Sequence, residues 1–168
     1  MPVDPEVMAA AKRVIGFKGP ALTELVTRKD IRRFAIAIGD NNPLYHDPAY
    51  ARQLGYPDVI APPMYHMAHA FPDNDLDGLD DAGVAGSLTV KYEVPSPGFP
   101  SSVAGGRKAE FLLPVVAGDS ITMQEWVADV YEKEGRDGPM IFVISETRFT
   151  NQRGELVATD RSIQIRMR

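Results

Sequence analysis

The sequence predicts an α+β domain in which one curved antiparallel sheet wraps around a long central helix. Helix signals occupy the first half of the 168 residues, and alternating strand patterns occupy the second half. Helices followed by a run of antiparallel strands are typical of this class, whereas parallel sheets need the two to alternate. Neither an internal repeat nor a low-complexity linker interrupts the chain, so we expect one domain over residues 1–168.

Two helices near the start carry clear capping signals. Asp4 followed by Pro5 is a typical helix cap and first position, and predicts a short helix within residues 4–16. Thr27 and Asp30 have the spacing of a capping box, and apolar residues then recur every three to four positions. This second pattern predicts a helix with one buried face.

Residues 40–63 are rich in Gly, Asn and Pro and predict an ordered loop, with one helical turn at residues 48–54. Pro62 and Pro63 suit the start of the next helix. Residues 64–71 are apolar on nearly every side, so this helix is expected to be buried.

The second half of the chain shows the period-two alternation of half-buried strands. Within the third strand, Ile121 and Met123 fall out of phase with Trp126 and Val130, which predicts a bulge. A turn at residues 151–154 joins the last two strands. The expected strands cover residues 88–94, 106–116, 119–131, 140–150 and 156–167.

Composition excludes several classes of function. The formal net charge of −5 disfavours nonspecific binding to nucleic acid or anionic membranes, which depends on a positive surface. The absence of cysteine removes thiolate nucleophiles, disulfides and Cys-ligated metals. Asp4 and Glu6 stand where a signal sequence is basic, and no long apolar run follows, so we expect a soluble cytoplasmic protein.

Three motifs carry a family resemblance. Residues 39–48 read GDNNPLYHDP and are followed by VIAPP at residues 59–63. Gly105 and Gly106 lead through Phe111 to Gly118 and Asp119, and residues 150–157, near the end of the chain, read TNQRGELV. In this order the motifs resemble the MaoC-like hydratases and dehydratases, and more narrowly their N-terminal, fatty-acid-synthase-type half.

The resemblance implies the hotdog fold, a curved antiparallel sheet wrapped around a long central helix. It also implies a loop in which an Asp and a His activate water, and a backbone N–H at the start of the central helix that holds the thioester carbonyl. Asp40 and His46 are therefore the catalytic candidates, and coenzyme A is expected as part of the substrate, with no metal or other cofactor. The candidates for substrate binding are Asn42, Tyr45, Pro63, Met64, Tyr65, Gly105, Gly106 and Arg107.

Two positions depart from the active pattern. The active His comes two residues after the Pro, where this chain has Tyr45, and His46 follows one residue later. A shift of one residue in extended chain turns a side chain away. Pro62 and Pro63 replace a His-Gly pair, and Pro63 has no N–H to offer an oxyanion.

These departures predict a degenerate, substrate-binding half of an (R)-specific enoyl-CoA hydratase or 3-hydroxyacyl thioester dehydratase, paired with a separate catalytic hotdog chain. A carrier-protein thioester is the neighbouring choice of substrate. Two alternatives stay open: a self-sufficient homodimer using Asp40 and His46, and a non-enzymatic acyl-thioester binding domain. Dimerisation is expected in each case, because one curved sheet leaves an exposed edge.

Other patterns have simpler interpretations. His66 and His69 have helical spacing for a shared metal but no third ligand, and are expected in the core or along an acyl tunnel. Residues 73–78 resemble the opening of a calcium loop without its closing glutamate, and are expected to be an acidic surface loop. Arg107, Lys108, Arg161 and Arg166 are candidates to meet the phosphates of coenzyme A.

Overall fold

The fold was analysed in a computed structural model that describes residues 2–66 and 94–168. The described helices are α1 (Pro5–Lys12), α2 (Arg28–Ala37) and α3 (Pro48–Gln53), with a short 3-10 turn at Pro43–Tyr45. The described strands are β1 (Leu22–Leu25), β2 (Ser101–Phe111), β3 (Ser120–Gly135), β4 (Gly138–Thr150) and β5 (Leu156–Met167).

The five strands form one antiparallel sheet in the order β1-β3-β4-β5-β2. The register of β3 against β4 shifts between Val127 and Asp129, which confirms the predicted bulge. Before the shift Ile121, Met123 and Val127 are buried, and after it Val130 is buried. The extra residue thus returns the apolar side chains to the same face.

Local capping explains the helix starts. Asp4 accepts from the backbone N–H of Glu6, and Pro5 is the first residue of α1. Thr27 and Asp30 form the predicted capping box at α2, with each side chain bonded to the other's backbone N–H. At α3 the carboxylate of Asp47 alone provides the cap, and accepts from the N–H groups of the first helical turn.

The buried residues form two clusters on the sheet. One lies under α2 and the loops that follow it, and includes Ile31, Phe149 and Val157. The other lies under α1 at the far ends of β3 and β4, and includes Met8 and Ile141. The first cluster also holds Tyr45 and Tyr65, so the loop motif is part of the core.

The structure corrects three predictions. Strand β1 was not predicted, because the four residues that pair with β3 are too few to show an alternating pattern. β2 starts at Ser101 and ends at Phe111, so residues 112–116 leave the expected strand. Met64 has a φ of 69°, which a right-handed helix does not allow, so the expected helix does not start at Pro62 and Pro63.

Several predicted features lie outside the described residues. These are the rest of the central helix over residues 67–71 with His69, the acidic loop with residues 73–78, and most of the strand over residues 88–94.

Two of the family motifs form one hydrogen-bonded corner. Asp119 is buried, and its carboxylate accepts from the backbone N–H of Val116 at 2.8 Å and from the Gln152 amide at 3.0 Å. Asn151 is also buried and accepts from the backbone N–H groups of Arg153 and Glu155 at 3.0 and 3.1 Å. These motif residues therefore have a structural role, holding the turn that leads into β5.

We predict that Asp119→Ala lowers the free energy of unfolding by about 1–3 kcal/mol, because it leaves the partly buried N–H of Val116 without an acceptor. Asp119→Asn keeps an acceptor oxygen and should lose less. Urea unfolding followed by circular dichroism measures both. Equal losses in the two variants would contradict this assignment.

Candidate functional site

A cavity of about 340 Å³ opens between the loop after α3 and the chain that follows β2. Its wall is mostly apolar, with two phenols and one imidazole as the side chains that carry polar groups. The residues that line it are Tyr45, Ile60, Ala61, Pro62, Pro63, Met64, Tyr65, His66, Phe111, Leu112, Leu113, Pro114, Val115, Val157 and Ala158. An apolar cleft with few polar groups is typical of a site for a small, largely apolar ligand.

The loop over residues 59–66 forms one wall of the cavity. Its backbone is tied to the chain after β2, because Ala61 donates to the carbonyl of Val115 at 2.8 Å and Ala117 donates to that of Val59 at 3.0 Å. At Pro63 the wall carries no N–H, so this position cannot polarise a carbonyl. The next residue, Met64, has a left-handed backbone conformation, which changes the direction of the chain before Tyr65.

Tyr45 is the loop-motif residue that reaches the cavity. Asn42 caps its 3-10 turn, and the ring is buried with an exposed fraction of 8%. Burial raises the pKa of the Tyr45 phenol, and the nearby charge of Asp40 raises it further, against a hydrogen bond from Asn42 that lowers it. The hydroxyl therefore stays protonated at neutral pH and can donate to a ligand oxygen.

His66 also lines the cavity and is 4% exposed. Its ring packs edge-on against Phe149 at 4.7 Å and Phe111 at 5.4 Å between centroids. This placement agrees with the interpretation of His66 as a core or tunnel-wall histidine.

Asp40 and His46 do not line this cavity. The carboxylate of Asp40 accepts from the backbone N–H of Asn42 at 3.0 Å, as in an Asx turn. Nε2 of His46 lies 3.0 Å from the main-chain carbonyl of Asp40. The His46 imidazole thus contacts the backbone of Asp40. His46 borders a second groove, alongside α2.

The glycine motif lies in β2, away from the residues that line the cavity. The register against β5 shifts between Ala104 and Gly106, where Gly106 has a φ of 142°. A Cβ on Gly105 would come within 2.8 Å of the Ile163 and Ile165 side chains, so close packing requires glycine there. Both glycines of the motif are therefore explained by the local structure of β2.

Arg107 forms an ion pair with the buried Asp160 at 3.3 Å. Burial raises the pKa of Asp160, although the charge of Arg107 acts to lower it. Lys108 pairs with Glu110 and Arg161 with Glu146. Three of the four basic residues expected to meet phosphates are therefore paired with carboxylates.

Sequence reasoning missed the second wall of the cavity. Residues 112–115 leave the sheet after Phe111, and the N–H groups of Leu112 and Leu113 both donate to the carbonyl of Val157, at 2.9 and 3.2 Å. Pro114 was the available signal, because proline cannot donate to a ladder. Of the predicted site residues, the cavity brings together Tyr45, Pro63, Met64 and Tyr65.

Comparison with known proteins identifies the family. The family model described as FAS1-like, dehydratase domain region, matches residues 13–160. The chain belongs to this FAS1-like dehydratase family. The prediction of a MaoC-like, fatty-acid-synthase-type dehydratase relative is thus confirmed.

Two curated relatives illustrate the range of the family. A "UPF0336 protein" of Thermobifida fusca is 33% identical over 80% of this chain and 78% of its own length. A "probable enoyl-CoA hydratase alpha subunit" of Thermomonospora curvata is 32% identical over 82% of this chain and 44% of its own length.

Solved structures confirm the hotdog fold. The unliganded R-hydratase PhaJ1 of Pseudomonas aeruginosa has a TM-score of 0.63 at 25% identity, covering 91% of this chain and 81% of its own. The ChsH1–ChsH2 complex of Mycobacterium tuberculosis contains a chain with a TM-score of 0.72 at 20% identity, covering 96% of this chain and 89% of its own. Among the helices that the structure describes, none has the length and apolar character to cross a membrane.

We predict that Met64→Gly leaves the protein as stable or raises its free energy of unfolding by up to about 1 kcal/mol. A left-handed backbone costs a non-glycine residue about 1–2 kcal/mol, more than the entropy that glycine loses on folding. Leu54, exposed and with a φ of −92°, is the matched control. Leu54→Gly should lower stability in the same urea titration, and equal losses at both positions would contradict the strain at Met64.

Proposed function

We propose that this chain is the substrate-binding half of a hydratase or dehydratase for enoyl and 3-hydroxyacyl thioesters of coenzyme A. The proposal is carried by the different positions of two neighbouring residues of the loop motif: Tyr45 lines an apolar cavity, and His46 lies outside it. The cavity offers space for an acyl chain, and the Tyr45 hydroxyl offers a hydrogen bond to an oxygen of the ligand.

Addition of water to a conjugated double bond needs a base for the water, an acid for the α-carbon and donors for the enolate-like oxygen. Pro63 cannot be such a donor, and His46 is directed to the backbone of Asp40. This half would bind and orient the acyl group, and a second hotdog chain would supply the acid-base pair and the oxyanion donor.

The exposed edge of the sheet supports a partner chain. β2 is an edge strand of the described sheet, and its side chains are exposed over almost its whole length. Val103 and Phe111 on this strand are 44% and 50% exposed, which is unusual for an edge left open to water. A second hotdog sheet, of another chain or of a second copy, would cover it. The Thermomonospora relative is named an alpha subunit, and the Mycobacterium tuberculosis neighbour belongs to the ChsH1–ChsH2 complex.

The proposal predicts that the isolated chain hydrates crotonyl-CoA at least about a hundredfold more slowly than a complex with its co-purified hotdog partner, because one oxyanion donor contributes about that factor. Within the complex, Asp40→Ala and His46→Ala should each keep kcat within about tenfold, because neither residue is the acid-base group, whose loss would cost about 10²–10⁴-fold. Hydration is followed by loss of the enoyl thioester absorbance.

Rapid hydration by the isolated chain, abolished by His46→Ala, would instead support the self-sufficient homodimer. A complex that binds acyl thioesters without turning them over would support the binding-domain alternative.

Filling the cavity tests the acyl site directly. Ala61 lies in the wall and is only partly buried, so Ala61→Trp should occupy the cavity with little effect on folding. We expect KM for a medium-chain enoyl-CoA to rise about tenfold or more, with less effect on crotonyl-CoA, because each displaced methylene contributes about 0.8 kcal/mol. Ala9→Trp, at an exposed position of α1, is the control and should leave both KM values unchanged.

A further inference from the structure

A groove of about 550 Å³ runs along α2 and borders the loop motif. We call it the α2 groove. It is lined by Arg28, Lys29, Arg32, Arg33, Ile36, Tyr45, His46 and Val59. Four of these eight residues are permanently cationic, in a chain whose net charge is −5.

The cations are placed against the intrinsic preferences of the helix. Arg28 and Lys29 occupy its first turn, where the helix dipole disfavours positive charge. Arg28 and Arg32 are four residues apart, as are Lys29 and Arg33, and like charges at this spacing repel each other. An anion bound between them would relieve both effects.

Carboxylates do not neutralise most of this cluster. Arg28 is held by Asp58, with Nε to Oδ1 at 2.8 Å and Nη2 to Oδ2 at 2.5 Å, and this pairing lowers the pKa of Asp58. No ion pair joins Lys29, Arg32 or Arg33 to an acidic side chain within residues 2–66 and 94–168. Asp30, the acidic residue of α2, is engaged in the capping box. Among the described residues, these three exposed cations therefore have no carboxylate partner and are available to a ligand.

The α2 groove meets the cavity at Tyr45, which lines both. Val59 and Ile60, adjacent in the chain, line the groove and the cavity respectively. A ligand passing Tyr45 would thus have an apolar end in the cavity and an anionic end among the cations of α2. A phosphorylated pantetheine arm bearing an acyl thioester has this distribution of charge.

We propose that the α2 groove is the subsite for the phosphate groups of the thioester ligand, with Lys29, Arg32 and Arg33 as the binding residues and Arg28 held in place by Asp58. This phosphate subsite rests on the proposed function only in taking an acyl thioester as the ligand of the cavity. We favour the α2 groove over the basic residues of β2 and β5 because three of those residues are paired with carboxylates. The same phosphate chemistry is offered by free coenzyme A and by the phosphopantetheine of a carrier protein.

The test titrates the full chain with coenzyme A, 4′-phosphopantetheine and unphosphorylated pantetheine by isothermal titration calorimetry. The test variant is Arg32→Gln with Arg33→Gln, and the control is Lys12→Gln with Arg13→Gln, which removes the same charge from exposed positions at the end of α1. We expect the test variant to weaken binding of both phosphorylated probes about tenfold or more, and to leave pantetheine unchanged. The control should bind all three probes as the unmodified chain does. Urea unfolding verifies that both variants fold.

Equal affinity for coenzyme A and 4′-phosphopantetheine would show that the phosphopantetheine of a carrier protein can supply the phosphate for this subsite. Tighter binding of coenzyme A would identify free coenzyme A as the source of the phosphate groups. Three results would overturn the proposal: no measurable binding of coenzyme A, pantetheine binding as tightly as coenzyme A, or unchanged affinity in the test variant. None of these depends on the acyl chain. The Ala61→Trp variant should bind coenzyme A normally, so failure of the acyl cavity and failure of the phosphate subsite are separately visible.

Discussion

The short segment at residues 115–119 holds both candidate binding surfaces in place. On one side it pairs with the cavity loop through the bonds between Ala61 and Val115 and between Ala117 and Val59. On the other side Gly118 donates to the carbonyl of Val26, and Val26 donates to that of Asp119, both at 2.8 Å. Val26 directly precedes the cap of α2. The positions of the cavity and of the α2 groove therefore follow from one backbone ladder.

This constraint explains why the chain buries Asp and Asn side chains that do not line the cavity. Asp119 and Asn151 satisfy backbone N–H groups that the corner would otherwise bury without acceptors, which is a costly state. Motif residues of a catalytic family are often taken as catalytic. In this chain the motif residues at 118–119 and 150–157 stabilise the corner that leads into β5. At Gly105 a Cβ atom would approach the side chains of Ile163 and Ile165 too closely.

The loop motif separates two kinds of ligand chemistry. One side of Tyr45 faces an apolar cavity, and the other side borders a groove lined by guanidinium groups and Lys29. Pro63 removes one hydrogen-bond donor from the cavity, while the motif still shapes the wall. Under the proposed function, such a site would hold and orient a thioester, and proton transfer would fall to groups on another chain.

The sequence by itself determined the features that depend on neighbouring residues. The capping box of α2, the bulge in β3, the turn before β5 and the missing N–H of Pro63 all follow from short-range hydrogen bonding, side-chain alternation and covalent structure. The family motifs were equally readable, and with them the antiparallel sheet and the hotdog fold.

Tertiary structure alone decided what those residues face. β1 exists because Leu22–Leu25 meet the start of β3, about a hundred residues away, and four residues carry too weak a pattern to reveal it. Tyr45 lies in the cavity wall as part of a buried cluster with Val59 and Val157, which come later in the chain, and the next residue, His46, borders α2. Helix periodicity predicted α2, but not that its cations would border the same loop as the cavity, because packing between separate elements sets that proximity.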